Sequence, residues 1–405
     1  MDRYAGDPGP KQLNARRTTW VPLALERFFR VEAASGVVLL GAAGTAVAWA
    51  NSPWSASYGR VWETPFTVGM ERFAATLSLG SFVNDGLMTI FFLVVGAEIR
   101  REFHEGVLSD FRRAALPVAA AFGGMILPAL IYLGWNQGPI ARRGWGIPTA
   151  TDIAFSVGVL ALLGKRIPAS LRVLLLALAT VDDIGSVLVV SIFYPKGGAS
   201  TGLLVAIGGT LGILALRKLG VRSLLAYVPP GLVTWMGLFR AGVEPALSGI
   251  PIGLLLPLDG ADRLHPWVAY GITPLFALAN AGISVDGLRW HDRDSLTVLT
   301  GVLVGRVLGK PAGIVAASFA AVHSRVCDLP RGVTWRGVLV IGCLGGIGLT
   351  VPIYIAAGAF ATKPLLASAK LALLASAAAS ALIGLLFGKI LLPTGVAAES
   401  NSGSA

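Results

Sequence analysis

Asp182 and Asp183 stand side by side in the run Ala177-Leu-Ala-Thr-Val-Asp-Asp-Ile-Gly-Ser-Val-Leu-Val-Val190, apolar for more than two helical turns on either side. Neighbouring helical positions point about 100° apart. One carboxylate can therefore face a cavity while the other faces a neighbouring helix. Charges in so apolar a setting are costly and mark function. The alternative is a pair snorkelling at a helix end, and the mid-run position argues against it. A third acid, Asp152, lies in Gly146-Ile-Pro-Thr-Ala-Thr-Asp-Ile-Ala-Phe155. Proline frees backbone groups that Thr149 and Thr151 can re-satisfy, so a helix interrupted at membrane depth is expected here. The bland reading of Asp152 is an N-cap at a helix start.

Lys310, in Gly305-Arg-Val-Leu-Gly-Lys-Pro311, is the cation these acids need. A lone buried ammonium loses its proton or finds a carboxylate, with Asp182 or Asp183 the obvious candidates. Arg306, one turn away, either snorkels or pairs with an acid. Glu98 and Glu102 share a helix face with Arg101 between them, either as a solvated helix end or as a negatively lined cation entrance. Asp85 reads as an N-cap and Glu244 as an interface cap. Oxygen-rich sites suit small hard cations. A carboxylate balanced between burial and a nearby cation can exchange a proton for a metal ion, and competition then couples the two fluxes.

Such residues need a frame. Hydrophobic residues make up 54% of the 405 and charged residues only 14%, with mean hydropathy +0.71. That excludes an ordinary soluble enzyme, a disordered chain and a nucleic-acid binder. The net charge of +11 is expected to sit in cytoplasmic loops. Cys327 and Cys343 form neither a disulfide framework nor a metal-ligand pattern. No metalloprotease, nucleotide-binding or serine-hydrolase motif occurs, so no nucleotide-driven pumping and no cofactor is expected. The basic first residues lack an apolar signal-peptide core.

Apolar runs predict twelve spans: 31–50, 83–103, 114–134, 148–163, 169–194, 201–218, 222–239, 241–257, 265–284, 296–322, 335–358 and 366–391. An even count puts both termini on one side, and Lys and Arg favour that side roughly two to one, as cytoplasmic termini require. The expected organisation is a cytoplasmic segment 1–30, a transporter domain 31–391 and a disordered tail 392–405. The outer loop 51–82 holds two β-like runs and reads as a surface hairpin or an irregular loop. Span 335–358 contains Gly342-Cys-Leu-Gly-Gly-Ile-Gly-Leu-Thr-Val-Pro352, either a second broken helix or a Gly-rich packing face. The two breaks fall in the middle spans of blocks 114–194 and 296–391. That is the arrangement of inverted three-helix repeats, whose unwound backbone lies beside an ion site.

At these residues the chain resembles the bacterial NhaA family of sodium/proton antiporters, from about Arg27 to about Gly388. The motifs that carry it are Asn84-Asp-Gly-Leu-Met88, Phe91-Phe-Leu-Val-Val-Gly96, Gly144-Trp-Gly-Ile-Pro-Thr-Ala-Thr-Asp-Ile-Ala-Phe155, Val181-Asp-Asp-Ile-Gly185, His265-Pro-Trp-Val-Ala-Tyr270, Pro274-Leu-Phe-Ala-Leu-Ala-Asn-Ala-Gly282 and Gly309-Lys-Pro311. The resemblance implies an all-α polytopic membrane protein of twelve transmembrane helices, with two interrupted helices crossing at mid-membrane and a small periplasmic β-hairpin. It implies that Asp183 is the principal carrier of Na+, Li+ and protons, with Asp182 beside it and Lys310 paired to Asp182. Thr151 and Asp152 would sit at the crossing, and Glu98, Arg101 and Glu102 would line a cytoplasmic funnel and sense pH. It further implies electrogenic exchange of one Na+ or Li+ outward for two protons inward, in the bacterial inner membrane. The lipid bilayer and a second copy, held through the hairpin, would be its partners.

The chain departs from that pattern at Glu244-Pro245, where the best-known members carry a histidine, at Ala261 and Asp262, at Pro352 and at Arg306. The first two changes bear on the pH of activation. Three other readings compete. A sodium-coupled solute symporter would need a larger polar cavity. An intramembrane aspartyl protease would need a Tyr-Asp pair and a Gly-x-Gly-Asp motif, and neither occurs. A passive channel would be poorly served by titratable carboxylates in its path.

Overall fold

In the computed structural model the described residues are 34–68, 75–194, 198–221, 223–256, 258–284 and 291–392. The expectations for the segment 1–30, for the tail beyond Leu392, and for the side chains of Ala261 and Asp262 fall outside them. The described residues are mostly helical. α1 (Ala34–Ala50) turns by 115° into α2 (Ser55–Glu63). β1 (Pro65–Val68) and β2 (Ala75–Ser78) pair antiparallel, with Pro65 opposite Ser78 and Val68 opposite Ala75. α3 (Leu79–His104), α4 (Phe111–Trp135), α5 (Ile153–Ala161), α6 (Ala169–Phe193), α7 (Ser200–Lys218), α8 (Leu224–Arg240) and α9 (Pro245–Leu255) follow. α10 covers 258–280, and α11 (Arg293–His323), α12 (Trp335–Gly345), α13 (Thr350–Ala359) and α14 (Lys363–Leu391) complete the chain.

Six of these helices, α3, α4, α6, α7, α11 and α14, are long and apolar enough to cross a bilayer. Two bent pairs, α1 with α2 and α12 with α13, raise the number to eight. Large apolar side chains stay on the outside, including Leu162, Leu204 and Leu382. In water that surface would be a severe liability, whereas hydrocarbon solvates it. The chain is an all-α polytopic membrane protein in this sense.

Three readings are corrected. The expected loop 51–82 contains a whole helix, α2, as well as the paired strands. Its sequence, Ser-Ala-Ser-Tyr-Gly-Arg-Val-Trp-Glu, is amphipathic and short, so a search for long apolar runs passes over it. Asp85 is not an N-cap. Ser78 caps the helix start by accepting from Ser81 N, and Asp85 lies seven residues on, in the π-helical turn Phe82–Leu87. Glu244 holds the N-cap position before the turn Pro245–Ser248, but its side chain makes no cap hydrogen bond.

The helices that carry the acids pack at close range. α4 lies along both α6 and α11, and α12 lies against α6. A Cβ on Gly123 would strike the Gly313 carbonyl, and one on Gly313 would strike the Gly123 carbonyl. Only glycine at both places lets these backbones approach so closely, the small-residue contact expected inside a membrane.

Candidate functional site

Six acidic or basic side chains are buried among the described residues, and five gather in one place: Asp152, Asp182, Asp183, Arg306 and Lys310. Each arrives there for a local reason. α6 carries the two aspartates near its centre, with Leu175, Leu178 and Val190 buried on the same helix. The run before α5 is not helical at all. After the 3₁₀ turn Ala141–Gly146 the backbone is non-helical through Thr151, and Asp152 is extended. Ile147 still holds helical angles (φ -61°, ψ -45°), but Pro148 after it has no backbone N–H to donate, so the hydrogen-bond ladder is interrupted there. α12 stops at Gly345 and α13 starts at Thr350, with a bend of 49° across the gap. Both interruptions read from the sequence are present, and Gly-rich packing alone is not the explanation of the second.

The two breaks touch. Asp152 N–H donates to the Ile347 carbonyl at 2.9 Å. The Thr350 hydroxyl donates to Asp152 Oδ2 at 2.9 Å, while Asp152 Oδ1 accepts from Phe155 N–H at 3.2 Å. Asp152 is therefore the N-cap of α5, as its simpler reading had it, and also a bridge between the two interrupted helices. The Thr151 hydroxyl lies 2.6 Å from Asp182 Oδ2 and 2.9 Å from the Gly345 carbonyl, its one proton shared between two acceptors. Ser156 donates to the Leu344 carbonyl at 3.0 Å. The end of α12 thus receives the Thr151 hydroxyl on the Gly345 carbonyl and the Ser156 hydroxyl of α5 on the Leu344 carbonyl, the latter shared with Ile347 N–H, as a buried helix end requires.

Lys310 Nζ stands 2.7 Å from Asp182 Oδ2, with neither side chain exposed, and also donates to the Thr149 carbonyl. Of the two candidate partners for Lys310, Asp182 holds the ion pair. Asp183 points elsewhere. It lines a cavity of about 610 Å³ that runs past Thr151, Asp152 and Thr350 to Glu98, Arg101, Glu102 and His265. Asp182 is not among its lining residues. This is the division of labour that a 100° step between neighbours allows. Asp183 Oδ1 and Asp182 Oδ1 have no hydrogen-bond partner among the described residues. A buried carboxylate oxygen left so is costly unless it is protonated or a cation approaches. Among the described residues no three His, Cys, Asp or Glu side chains converge as they would around a resident metal ion.

At the far end of the cavity Glu98 Oε1 is 3.4 Å from His265 Nε2, and Glu102 Oε1 accepts from Val107 N–H at 2.7 Å. Glu102 therefore fastens the turn after α3, and it lines the cavity as well. Three participants were not singled out from sequence: Thr350 as the partner of Asp152, Ser156, and His265 as the partner of Glu98. Thr350 and His265 both sit in motifs already noted, but their contacts join residues far apart in the chain. Replacing Thr350 by Val removes the hydroxyl from Asp152 and nothing of comparable size. The expected cost is about 1–3 kcal/mol, read as a lower melting temperature in detergent together with slower transport. A melting temperature equal to the parent's would show that this bridge carries no weight.

Known proteins resemble the chain along most of its length. The family model described as Na+/H+ antiporter 1 matches residues 26–387. The Na(+)/H(+) antiporter NhaA 2 of Sorangium cellulosum is 47% identical, the alignment covering 94% of this chain and 92% of the relative. The Na(+)/H(+) antiporter NhaA 2 of Myxococcus xanthus is 44% identical, with 93% of each covered. The Na(+)/H(+) antiporter NhaA of Cupriavidus necator is 46% identical, covering 91% and 90%.

Proposed function

The chain belongs to the Na+/H+ antiporter 1 family, and from that premise we propose that it moves Na+ or Li+ against protons by competition at Asp183, with Asp182 and Lys310 as the coupled second site. The observation that carries the reading is the split of the adjacent aspartates. Asp183 looks into the cavity, and Asp182 is held by Lys310 and Thr151. A cation entering past Glu98, Arg101 and Glu102 meets Asp183 first. With Asp183 ionised, its unpartnered oxygen, aided by Thr151 and Asp152, offers hard oxygen ligands. With Asp183 protonated, that attraction is gone and the cation leaves.

The second proton belongs to the Asp182–Lys310 pair. A cation drawn between the two aspartates competes with the ammonium for Asp182, and the displaced Lys310 sits unpaired in an apolar site. It then sheds its proton, because burial disfavours an uncompensated charge. Two protons thus leave for one cation, so exchange is electrogenic and driven by the membrane potential, with no cofactor needed. The two breaks, joined through Asp152 and Thr350, are the hinge at which access alternates, and blocks 114–194 and 296–391 act as inverted repeats of a twelve-span bundle. Glu98, Arg101, Glu102 and His265 tune the response to pH from the cavity mouth. Both termini lie in the cytoplasm of a bacterial inner membrane.

Among the described residues no third strand pairs with β1 or β2, and the edge each leaves open is one that a second copy can extend. The expected assembly is a homodimer through this hairpin. Deleting residues 65–78 should yield monomers by light scattering in detergent that still exchange ions. A deletion variant that remains dimeric would remove the hairpin from the interface.

The exchange itself is tested in proteoliposomes holding an internal pH dye under an imposed proton gradient. Addition of Na+ or Li+, but not K+, should collapse the gradient. No response between pH 6.5 and 9 would reject the proposal. A sodium-coupled solute symporter would then be the reading to pursue, with uptake only in the presence of an organic solute.

A further inference from the structure

Arg306 is the largest fully buried side chain among the described residues, with no exposed surface. It sits in a π-helical turn of α11, Gly305–Gly309, one turn before Lys310. The ion pair just described makes no use of it. With none of its surface exposed it does not snorkel, and among the described residues it makes no ion pair with a carboxylate. Its Nε and Nη2 donate to the Gly346 carbonyl at 3.1 and 3.0 Å, and its Nη1 donates to the Ile147 carbonyl at 3.4 Å. These are the carbonyl ends of two helical pieces that stop inside the protein. α12 stops at Gly345, and the turn Ala141–Gly146 stops just before Ile147. The carbonyl end of an α-helix such as α12 carries about half a negative charge. A guanidinium has donors enough, in a fixed fork, to cap both at once. Room for it comes from Gly348, where a Cβ would strike the guanidinium.

The charged groups around it are Lys310, next along its own helix, Asp152 of the first break, whose N–H donates to Ile347 beside Gly346, and Asp182 of α6, tied through the Thr151 hydroxyl to the Gly345 carbonyl. α14 packs against this turn, with Ser380 beside Gly346, and α4 meets it through Pro128; neither residue titrates. With Arg306 the cluster holds three carboxylates against two cations. Without it a single cation, Lys310, would have to serve both helix ends and Asp182.

We propose that Arg306 is a positioning residue for exchange: it clamps the two broken helices at their carbonyl ends, leaves Lys310 free to pair with Asp182, and supplies the fixed positive charge against which sodium and protons are bound. This rests on the antiport reading and adds a residue to it. A fixed positive charge beside the carboxylates weakens their hold on any cation. Removing it lets protons stay to higher pH, so transport must start later on an alkaline scale.

The test compares the parent with Arg306→Gln and Arg306→Lys in proteoliposomes, reading the pH of half-maximal Na+-driven proton movement. Arg306→Gln keeps amide donors and drops the charge. Arg306→Lys keeps the charge and drops the fork. The expected result is an alkaline shift of about one pH unit in Arg306→Gln, a tenfold change in proton retention, with the parent midpoint kept in Arg306→Lys at a lower maximal rate. Midpoints unchanged in both variants, with only the yield of folded protein reduced, would leave Arg306 a structural brace and overturn the proposal. Equal shifts in both would overturn the role of its charge. If Arg306→Gln does not fold, Arg306→Lys decides, since a shifted midpoint there contradicts the charge account. A parent protein that moves no protons would instead condemn the antiport reading, so the two failures are distinct.

Discussion

Asp183→Asn is expected to abolish Na+-driven proton movement while leaving the protein folded. The amide has the size and shape of the acid but neither binds a proton nor presents an anionic oxygen to Na+. The fold should not suffer. Asp183 Oδ1 has no partner among the described residues, so no hydrogen bond of that oxygen is lost. A neutral amide is also cheaper to bury than a charge. The loss should be at least ~100-fold in rate, the ordinary scale for removing a proton carrier. The check is dye-reported exchange in proteoliposomes, with thermal unfolding of the same preparation in detergent. A variant that melts like the parent and still exchanges would take the carrier role from Asp183.

Lys310→Ala should act on stability as well as on transport. It leaves Asp182, which has no exposed side-chain surface, with the Thr151 hydroxyl as its one remaining hydrogen-bonded side chain among the described residues. It also strips the Thr149 carbonyl of a donor. Removing one member of a buried pair costs about 3–5 kcal/mol, because the other is left uncompensated. The sign can be checked internally. Adding Asp182→Asn to Lys310→Ala removes the stranded charge and should recover a good part of the lost melting temperature, though not transport. If the single variant melts like the parent, the pair is not the structural unit described above. If the double variant melts lower than the single, the penalty lies in packing and not in charge.

The parts of the site that were legible in the sequence are those where a residue type contradicts its surroundings. Asp182 and Asp183 in an apolar run, Lys310 before a proline, and Gly and Pro clusters inside two apolar spans each announce themselves within a few residues. What the sequence did not show were contacts between distant segments. Thr350 reaches Asp152 across 198 positions, and Arg306 reaches Ile147 across 159. No local pattern encodes such a pair. It depends on which interrupted span lies against which, and that follows from packing along the whole bundle. The π-helical turns at Phe82–Leu87, Val268–Ile272 and Gly305–Gly309 were missed for a related reason. An extra residue in a helical turn leaves the apolar pattern nearly unchanged, but re-aims the side chains that follow. In α11 that shift falls between Arg306 and Lys310, so an ideal helical wheel misjudges the angle between the two cations. The reading of Arg306 as snorkelling or paired with an acid failed because it weighed charges alone. At a break, backbone carbonyls are the anionic partners.

The central claim is that sodium and protons contend for one buried site, Asp183 together with the Asp182–Lys310 pair. Its most direct test is the apparent KM for Na+ as a function of pH. Competition predicts a KM that rises as pH falls, by about tenfold per pH unit for each proton displaced, with the maximal rate at saturating Na+ preserved. A KM that stays flat across pH while the maximal rate falls would mean that protons act at a separate site, and would contradict the account.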